Sequence, residues 1–147
     1  MPEDIRRMVS AVVQLWNTGD PKVAEELYSD GAQRYDPNRP EPTRGSQGIL
    51  NYVVEVRVGF PDFNLEIDET VVEGNRMVSH WTCTGTHKGE FDGIPATGKR
   101  ITISGLDFAR IENGKISEER VYFDRLAMLE QLGVAPDMRH AEAQAVR

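Results

Sequence analysis

The sequence predicts an α+β fold, and three observations support this prediction. The first half contains amphipathic helical segments, the second half contains consecutive β-strands, and a hairpin turn joins the last two strands. Apolar residues at three- and four-residue steps are typical of a helix that buries one face, whereas every second position lines one face of a strand. Helices followed by an antiparallel run predict a sheet with helices packed on one of its faces.

Three helices are predicted before the main run of strands and one after it. They cover residues 2–18, 21–28, 46–58 and 125–132. Gly19 ends the first helix, and Asp20 and Asp124 are predicted N-caps of the second and the last. An Asp30-Gly31 turn, an extended piece over 32–36 and a proline-rich loop, PNRPEPTRG, separate the second helix from the third.

Four longer strands are predicted over residues 63–73, 76–87, 100–112 and 115–123. The last two are joined by Asn113-Gly114, which supplies the positive φ angles of a two-residue type I′ turn. The segment Gly89–Lys99 contains Gly93, Pro95 and Gly98 and is expected to be an ordered loop.

One face of the strand over 100–112 is small and apolar except for a carboxyl group. That face consists of Ile101, Ile103, Gly105, Asp107, Ala109 and Ile111. An unpaired carboxylate is costly to bury, so it acquires a raised pKa or a specific partner. Asp107 is therefore a candidate site residue. The alternative is that it lies near a hydrated rim and binds an arginine.

Composition excludes several classes of function. The formal net charge is -7 with a pI near 5.0, which argues against a nucleic-acid-binding protein. The sequence contains one cysteine, Cys83, and three histidines without zinc-binding spacing, so neither a disulfide framework nor a metal centre is expected. No apolar run could span a membrane, and the charged N-terminus does not resemble a secretory signal. We therefore expect a cytoplasmic protein without membrane or nucleic-acid partners and without a cofactor.

Three segments together resemble a known family. GTHKGEFDGIPATGKRITISG, RIENGKI and YFDRLAMLEQLG are similar to the SnoaL-like polyketide cyclases and ester cyclases, and the likeness covers almost the whole chain. This resemblance implies the nuclear transport factor 2-like cone, in which a curved antiparallel sheet packs its concave face against helices. It also implies a deep apolar pocket, a small hydrophobic ligand and a homodimer. Residues 1–135 would form the single domain, and 136–147 a polar tail.

The cyclases' catalytic residues match this chain only in part. The position of their acidic general base on the last strand is Val121, and the position of their histidine on the preceding strand is Asp107. The acid is thus expected to have moved to the neighbouring strand. The family's pocket residues match His80 and Thr82, and His80 is the expected partner of Asp107, with a satisfied histidine at the sheet edge as the alternative.

Other candidates follow from the same resemblance or from strand position. Tyr35 and Asp36 match polar pocket residues of related enzymes, although Asp36-Pro37 is also ordinary turn chemistry. The remaining expected substrate contacts are Trp16, Phe60, Thr82, Val121 and Phe123. His87 is interpreted as structural, bonding the Gly89–Lys99 loop, and Asp124 as a helix cap.

The resemblance implies a small enzyme that acts on a hydrophobic carbonyl compound such as a polyketide intermediate. Its chemistry would be cofactor-free acid/base catalysis, as an aldol-type cyclisation or an isomerisation. Asp107 would remove a proton next to a carbonyl, and His80 or a tyrosine would stabilise the enolate oxygen. The alternative is a non-catalytic binding protein that keeps the pocket but lacks the cyclases' acid, because Val121 stands in its place.

Overall fold

The structure is a computed structural model that describes residues 3–135 as an α+β fold built on one six-stranded sheet. The strand order is β2-β1-β6-β5-β4-β3. Four neighbouring pairs are antiparallel, and the pair β1–β6 is parallel. The predicted antiparallel sheet is therefore confirmed for the meander, and the parallel pair adds the short strands of the first half to its edge.

The four helices form where the periodicity predicts them. They are α1 (Glu3–Thr18), α2 (Pro21–Leu27), α3 (Gly45–Gly59) and α4 (Arg125–Gln131). Asp20 caps α2 through a bond from the backbone N–H of Lys22 (2.9 Å), and Asp124 caps α4 through the N–H of Ala127 (2.9 Å). The interpretation of Asp124 as a cap is confirmed.

The strands are β1 (Tyr28–Tyr35), β2 (Thr43–Arg44), β3 (Asn64–Glu73), β4 (Arg76–Thr86), β5 (Arg100–Glu112) and β6 (Lys115–Phe123). Asn113 and Gly114 both have positive φ (52° and 75°), as the type I′ turn requires. The predicted Asp30-Gly31 turn is wrong: the chain remains extended there, and a register shift between Tyr28 and Gln33 absorbs the extra residues. The end of the proline-rich segment also forms β2 and was not predicted as a strand.

The hydrophobic core lies between the helices and one face of the sheet. It combines Leu15 of α1 and Val53 of α3 with the alternate residues Ile101 and Ile103 of β5. The opposite face of the sheet is open and carries Leu106, Tyr122 and Val71, with exposed fractions of 49%, 61% and 60%. No helix within residues 3–135 is both long and apolar enough to cross a membrane. The predicted tail over 136–147 lies outside the described residues.

Gly105 allows an indole ring to lie directly on the sheet. A Cβ at this position would stand 2.4 Å from Cζ2 of Trp81 and 2.4 Å from the backbone oxygen of Tyr122. We expect Gly105→Ala to lower the free energy of unfolding by about 1–3 kcal/mol, because both the ring and the backbone must shift. Urea unfolding measures this loss. Gly31→Ala is the control, since a Cβ there meets nothing within 4 Å, and an equal loss in both variants would contradict the explanation.

Candidate active site

A cavity opens between the helices and the buried face of the sheet. About 90 Å³ of it is open to the centres of water-sized molecules, whereas one water needs roughly 10–15 Å³. Its walls are mainly apolar and aromatic, and the polar groups that reach it are Arg34, Asn38, Tyr52 and Asp107. An apolar cavity with a few convergent polar groups is the usual form of a small-molecule site.

Asp107 is placed at this cavity by strand alternation and by pairing. It stands opposite Ser79 of β4 on one side and opposite Val121 of β6 on the other. Glu119 precedes Val121 by two residues, so it shares the inward face of β6 and lies diagonal to Asp107. Two carboxyl groups therefore meet on the buried face of the sheet.

Glu119 is held by two donors and is only 2% exposed. Its Oε1 accepts hydrogen bonds from the hydroxyl of Tyr28 (2.7 Å) and from Nε of Arg34 (3.0 Å). Arg34 also binds Asp36 through Nη1, and Asp36 accepts the backbone N–H of Asn38 (2.6 Å). The pKa of Arg34 is raised, because the charges of Glu119 and Asp36 outweigh the opposing effect of burial.

These contacts determine the protonation of Asp107. Its pKa is well above the ordinary carboxyl value, first through burial, then through the charge of Glu119 and a hydrogen bond donated to Glu119. Arg34 acts in the opposite direction but is already shared by two carboxylates. Asp107 is half-buried and borders two cavities on the inner face of the sheet.

Asp107 should leave a signature in the pH dependence of stability. A carboxyl group whose pKa is raised by folding binds more protons in the native state. Its contribution to stability is complete below the unfolded pKa of about 3.9 and is lost as the pH rises towards the folded pKa. The free energy of unfolding of the native protein should thus fall relative to that of Asp107→Asn across this window. Urea unfolding at a series of pH values measures the difference, and a flat difference would contradict the raised pKa.

Two aromatic rings flank Arg34 where it reaches the cavity. Its guanidinium carbon lies 5.0 Å from the ring centre of Trp16 and 5.1 Å from that of Tyr52. Two of its nitrogens, Nε and Nη1, bind Glu119 and Asp36, and within residues 3–135 no protein acceptor is found for the third, Nη2. A positively charged hydrogen-bond donor is therefore available at the cavity wall.

Tyr52 supplies a second donor. Its hydroxyl accepts a hydrogen bond from Nδ2 of Asn38 (3.2 Å), whose Oδ1 in turn accepts from Nε of Arg125 (3.2 Å). Because the oxygen of Tyr52 accepts here, its own proton is free to be donated into the cavity. Burial raises the pKa of Tyr52 although Arg34 opposes this, so the hydroxyl keeps its proton.

The structure brings some of the predicted site residues together and separates others. Trp16, Phe60, Val121 and Phe123 line the cavity with Asp107, as expected. Their contact with a substrate stays a prediction. Asp36 is buried (8% exposed) and binds Arg34, and within the described chain it does not line the cavity.

The predicted contact between His80 and Asp107 is wrong. His80 lies on the outer face of β4 opposite Leu106, and its Nδ1 is 3.3 Å from Asp68. Thr82 shares that outer face and donates to Asp68 (2.7 Å). The inward positions of β4 are Met77, Ser79, Trp81 and Cys83. Successive residues of a strand point to opposite faces, so His80 and Thr82 cannot share the inner face with these four residues.

Tyr35 is also misplaced by the prediction. Its neighbours Arg34 and Asp36 point inward, so Tyr35 faces outward, where Arg120 lies 4.2 Å above its ring. His87, in contrast, is structural as predicted. Its Nδ1 accepts the backbone N–H of Thr97 (3.2 Å), and its ring stacks on Phe60 at 5.1 Å.

Sequence reasoning missed Arg34, Glu119, Tyr28, Tyr52 and Asn38. Alternation could have found the first two, since Arg34 lies on the same strand face as Ala32 and Glu119 lies on the same strand face as Val121.

Within residues 3–135, no group of three or more His, Cys, Asp or Glu side chains is placed to bind a metal ion.

Comparison with known proteins identifies the family. DnrD, the aklanonic acid methyl ester cyclase of Streptomyces peucetius, is 32% identical over 135 residues, which cover 88% of each chain. The structure of TsrD from Streptomyces laurentii superposes with a TM-score of 0.81 at 26% identity, covering 91% of this chain and 98% of TsrD. A protein of Catenulispora acidiphila with a ketosteroid isomerase-like fold shares only the fold, at 17% identity and a TM-score of 0.74 over 92% and 95% of the two chains.

The family model for SnoaL-like polyketide cyclases matches residues 6–132, which include all six strands and the acid pair. With that match over most of its length, and with the same helices, sheet and apolar cavity that the resemblance implied, the chain belongs to the SnoaL-like polyketide cyclase family.

Proposed function

We propose that this protein is a cofactor-free enzyme that acts on a hydrophobic carbonyl compound such as a polyketide intermediate, by aldol-type cyclisation or isomerisation. The observation that carries the proposal is Asp107 at the wall of an apolar cavity, with the charge of Glu119 next to it. A carboxyl group with a raised pKa is matched to proton transfer nearer neutral pH than an ordinary aspartate. The name of DnrD supports a cyclisation and suggests ester-bearing substrates.

Asp107 acts as the general base in this proposal. Its carboxylate takes a proton from the carbon next to the substrate carbonyl, which leaves an enolate and a neutral Asp107. The developing charge rests on the carbonyl oxygen, where the hydroxyl of Tyr52 and the free donor of Arg34 provide stabilisation. In a cyclisation the enolate carbon attacks a second carbonyl, and the resulting alkoxide takes the proton back from Asp107.

Glu119 tunes Asp107 instead of touching the substrate. It lines the smaller cavity and not the larger one, and both Tyr28 and Arg34 occupy its Oε1. Its fixed negative charge keeps the proton of Asp107 more tightly bound.

The non-catalytic alternative rested on the absence of an acid at Val121. The structure places Asp107 opposite Val121 and Glu119 two residues before it, on the same face. The cavity therefore has an acid, Asp107, although the position of the cyclases' acid is occupied by Val121. The non-catalytic alternative is not favoured.

The test begins with ligand binding and continues with chemistry. A panel of apolar β-keto methyl esters, steroid ketones and terpene epoxides is screened by thermal shift, where a ligand at about 100 times its Kd adds roughly 2.7 kcal/mol of stability. Ketones and keto esters that bind are then incubated in D₂O, and deuterium at the carbon next to the carbonyl is followed by NMR. Exchange that requires Asp107 supports the proposal. Binding without exchange or product formation for any compound would refute it.

We also propose a homodimer formed through the outer face of the sheet. Leu106 and Tyr122 are cross-strand neighbours there and are both largely exposed, so this face offers an apolar surface that a second copy would cover. Light scattering after gel filtration should give twice the monomer mass of 16.5 kDa. Leu106→Glu should then give the monomer mass, and a monomeric native protein would reject the proposal.

A further inference from the structure

A second, smaller cavity lies next to the main one and shares Val12, Ile67 and Asp107 with it. It measures about 10 Å³ and is bordered by Ser79, Asp107 and Glu119 and by apolar side chains of α1, β3 and β4. A cavity of ~10–15 Å³ is the size of one water, provided that two to four polar groups surround it. Ser79, Asp107 and Glu119 meet that condition.

The hydroxyl of Ser79 connects this cavity to the edge of the sheet. Ser79 is 5% exposed, and its Oγ lies 3.0 Å from Oγ1 of Thr70. Thr70, Ser79 and Asp107 are directly opposite one another on β3, β4 and β5, so they form one polar row across the sheet. Strand β3 is the last strand of the sheet, and Thr70 is half-buried there.

An irregularity in β3 is what makes the row continuous. The pairing with β4 shifts between Ile67 and Glu69, so that one extra residue is accommodated. Before the shift, the inward residues of β3 are Leu65 and Ile67; after it, they are Thr70 and Val72. Without the shift, the side chain of Thr70 would point to the outer face and Ser79 would lack a hydroxyl neighbour.

We propose that the small cavity binds one water molecule, and that this water with the hydroxyls of Ser79 and Thr70 conducts protons between Asp107 and solvent. Asp107 passes its proton to the water, the water passes one to Ser79, and Ser79 passes one to Thr70, which releases one to solvent. Each carrier gains and loses a single proton, and the reverse sequence recharges Asp107.

The path would let the acid pair equilibrate with solvent while a ligand fills the main cavity. This role in turnover rests on the proposed function, whereas the water site and the path do not. Within residues 3–135, the charged and titratable groups that bond the pair from other strands are Arg34 from β1 and Tyr28 from the start of the same strand. Both are already bonded to Glu119, so neither provides a second exit.

The first experiment is independent of any substrate. The protein is labelled with ¹³C at the aspartate carboxyl carbons, and the Asp107 signal is assigned by its loss in Asp107→Asn. Near its titration midpoint, the native protein should show one averaged Asp107 signal, because protons exchange quickly. Ser79→Ala and Thr70→Val should broaden this signal or split it in two. Ser104→Ala, a strand serine on the outer face, is the matched control and should leave it averaged.

Two results would overturn the proposal. Equal line widths in the native protein and both path variants would show that protons reach Asp107 through the main cavity instead. A high-resolution crystal structure without an ordered water between Ser79 and Asp107 would show that the water required to carry the proton is absent. If a ketone is found that exchanges deuterium, Ser79→Ala should slow exchange with solvent more than it weakens binding. Failure of exchange in the native protein would count against the proposed function alone, since the line-width experiment does not depend on it.

Discussion

Asp107→Asn should lose most of the turnover of the native protein, by about 10²–10⁴-fold, because an amide cannot accept the substrate proton. The side chain keeps its size and its place between Ser79 and Val121, so ligand binding measured by thermal shift should persist. The loss should therefore appear in kcat and much less in KM. Steady-state kinetics on the first substrate found by the exchange screen measure both.

Asp68→Asn is the matched control for this loss. Asp68 lies on the outer face, 38% exposed, where it contacts His80 and Thr82. Full activity of Asp68→Asn with loss in Asp107→Asn would assign the chemistry to the cavity. Full turnover by Asp107→Asn would reject Asp107 as the base.

The pH dependence of kcat/KM tests whether Glu119 sets the pKa of Asp107 or only supports the structure. Since the base must be ionised, kcat/KM should rise with pH through the raised pKa of Asp107. Glu119→Gln removes a negative charge beside Asp107 and keeps an oxygen for Tyr28, so the rise should move to lower pH. An unchanged profile would mean that Glu119 does not set the pKa of Asp107.

Arg34→Met should be the most destabilising of the substitutions considered, at about 3–5 kcal/mol, because it leaves two buried carboxylates without their cation. Methionine retains apolar contact with Trp16 and Tyr52, so the loss reports mainly the ion pairs to Asp36 and Glu119. Urea unfolding at neutral pH measures it. The loss should shrink at low pH, where the carboxyl groups of the variant can be protonated.

Arg120→Met is the control for charge removal as such. Arg120 is paired with Glu118 (2.8 Å), and its side chain is 43% exposed, so solvent can replace that partner. The double variant Arg34→Met with Glu119→Gln should recover part of the loss, since one of the uncompensated charges is then gone. Equal losses of unfolding free energy in Arg34→Met and Arg120→Met would show that the buried ion pairs stabilise the protein no more than an exposed pair does.

Local signals were sufficient for most elements of the fold. The helices, the meander and the type I′ turn follow from apolar periodicity, capping residues and Asn-Gly, all of which act over a few residues. The same alternation correctly placed Asp107 among buried apolar neighbours. On β4 the structure buries the face that carries Trp81 and Cys83, whereas the resemblance placed His80 of the opposite face in the pocket.

Through alternation and periodicity, the sequence by itself determined the helices and strands of this protein. It also determined that one acid, Asp107, lies on the buried face of its strand. The tertiary structure alone decided which polar groups surround that acid. Arg34 and Glu119 are 85 residues apart and become direct neighbours because β1 pairs in parallel with β6. Such pairing depends on how distant strands align, and no local preference encodes it. The bulge in β3 that turns Thr70 inward is likewise settled by packing against β4.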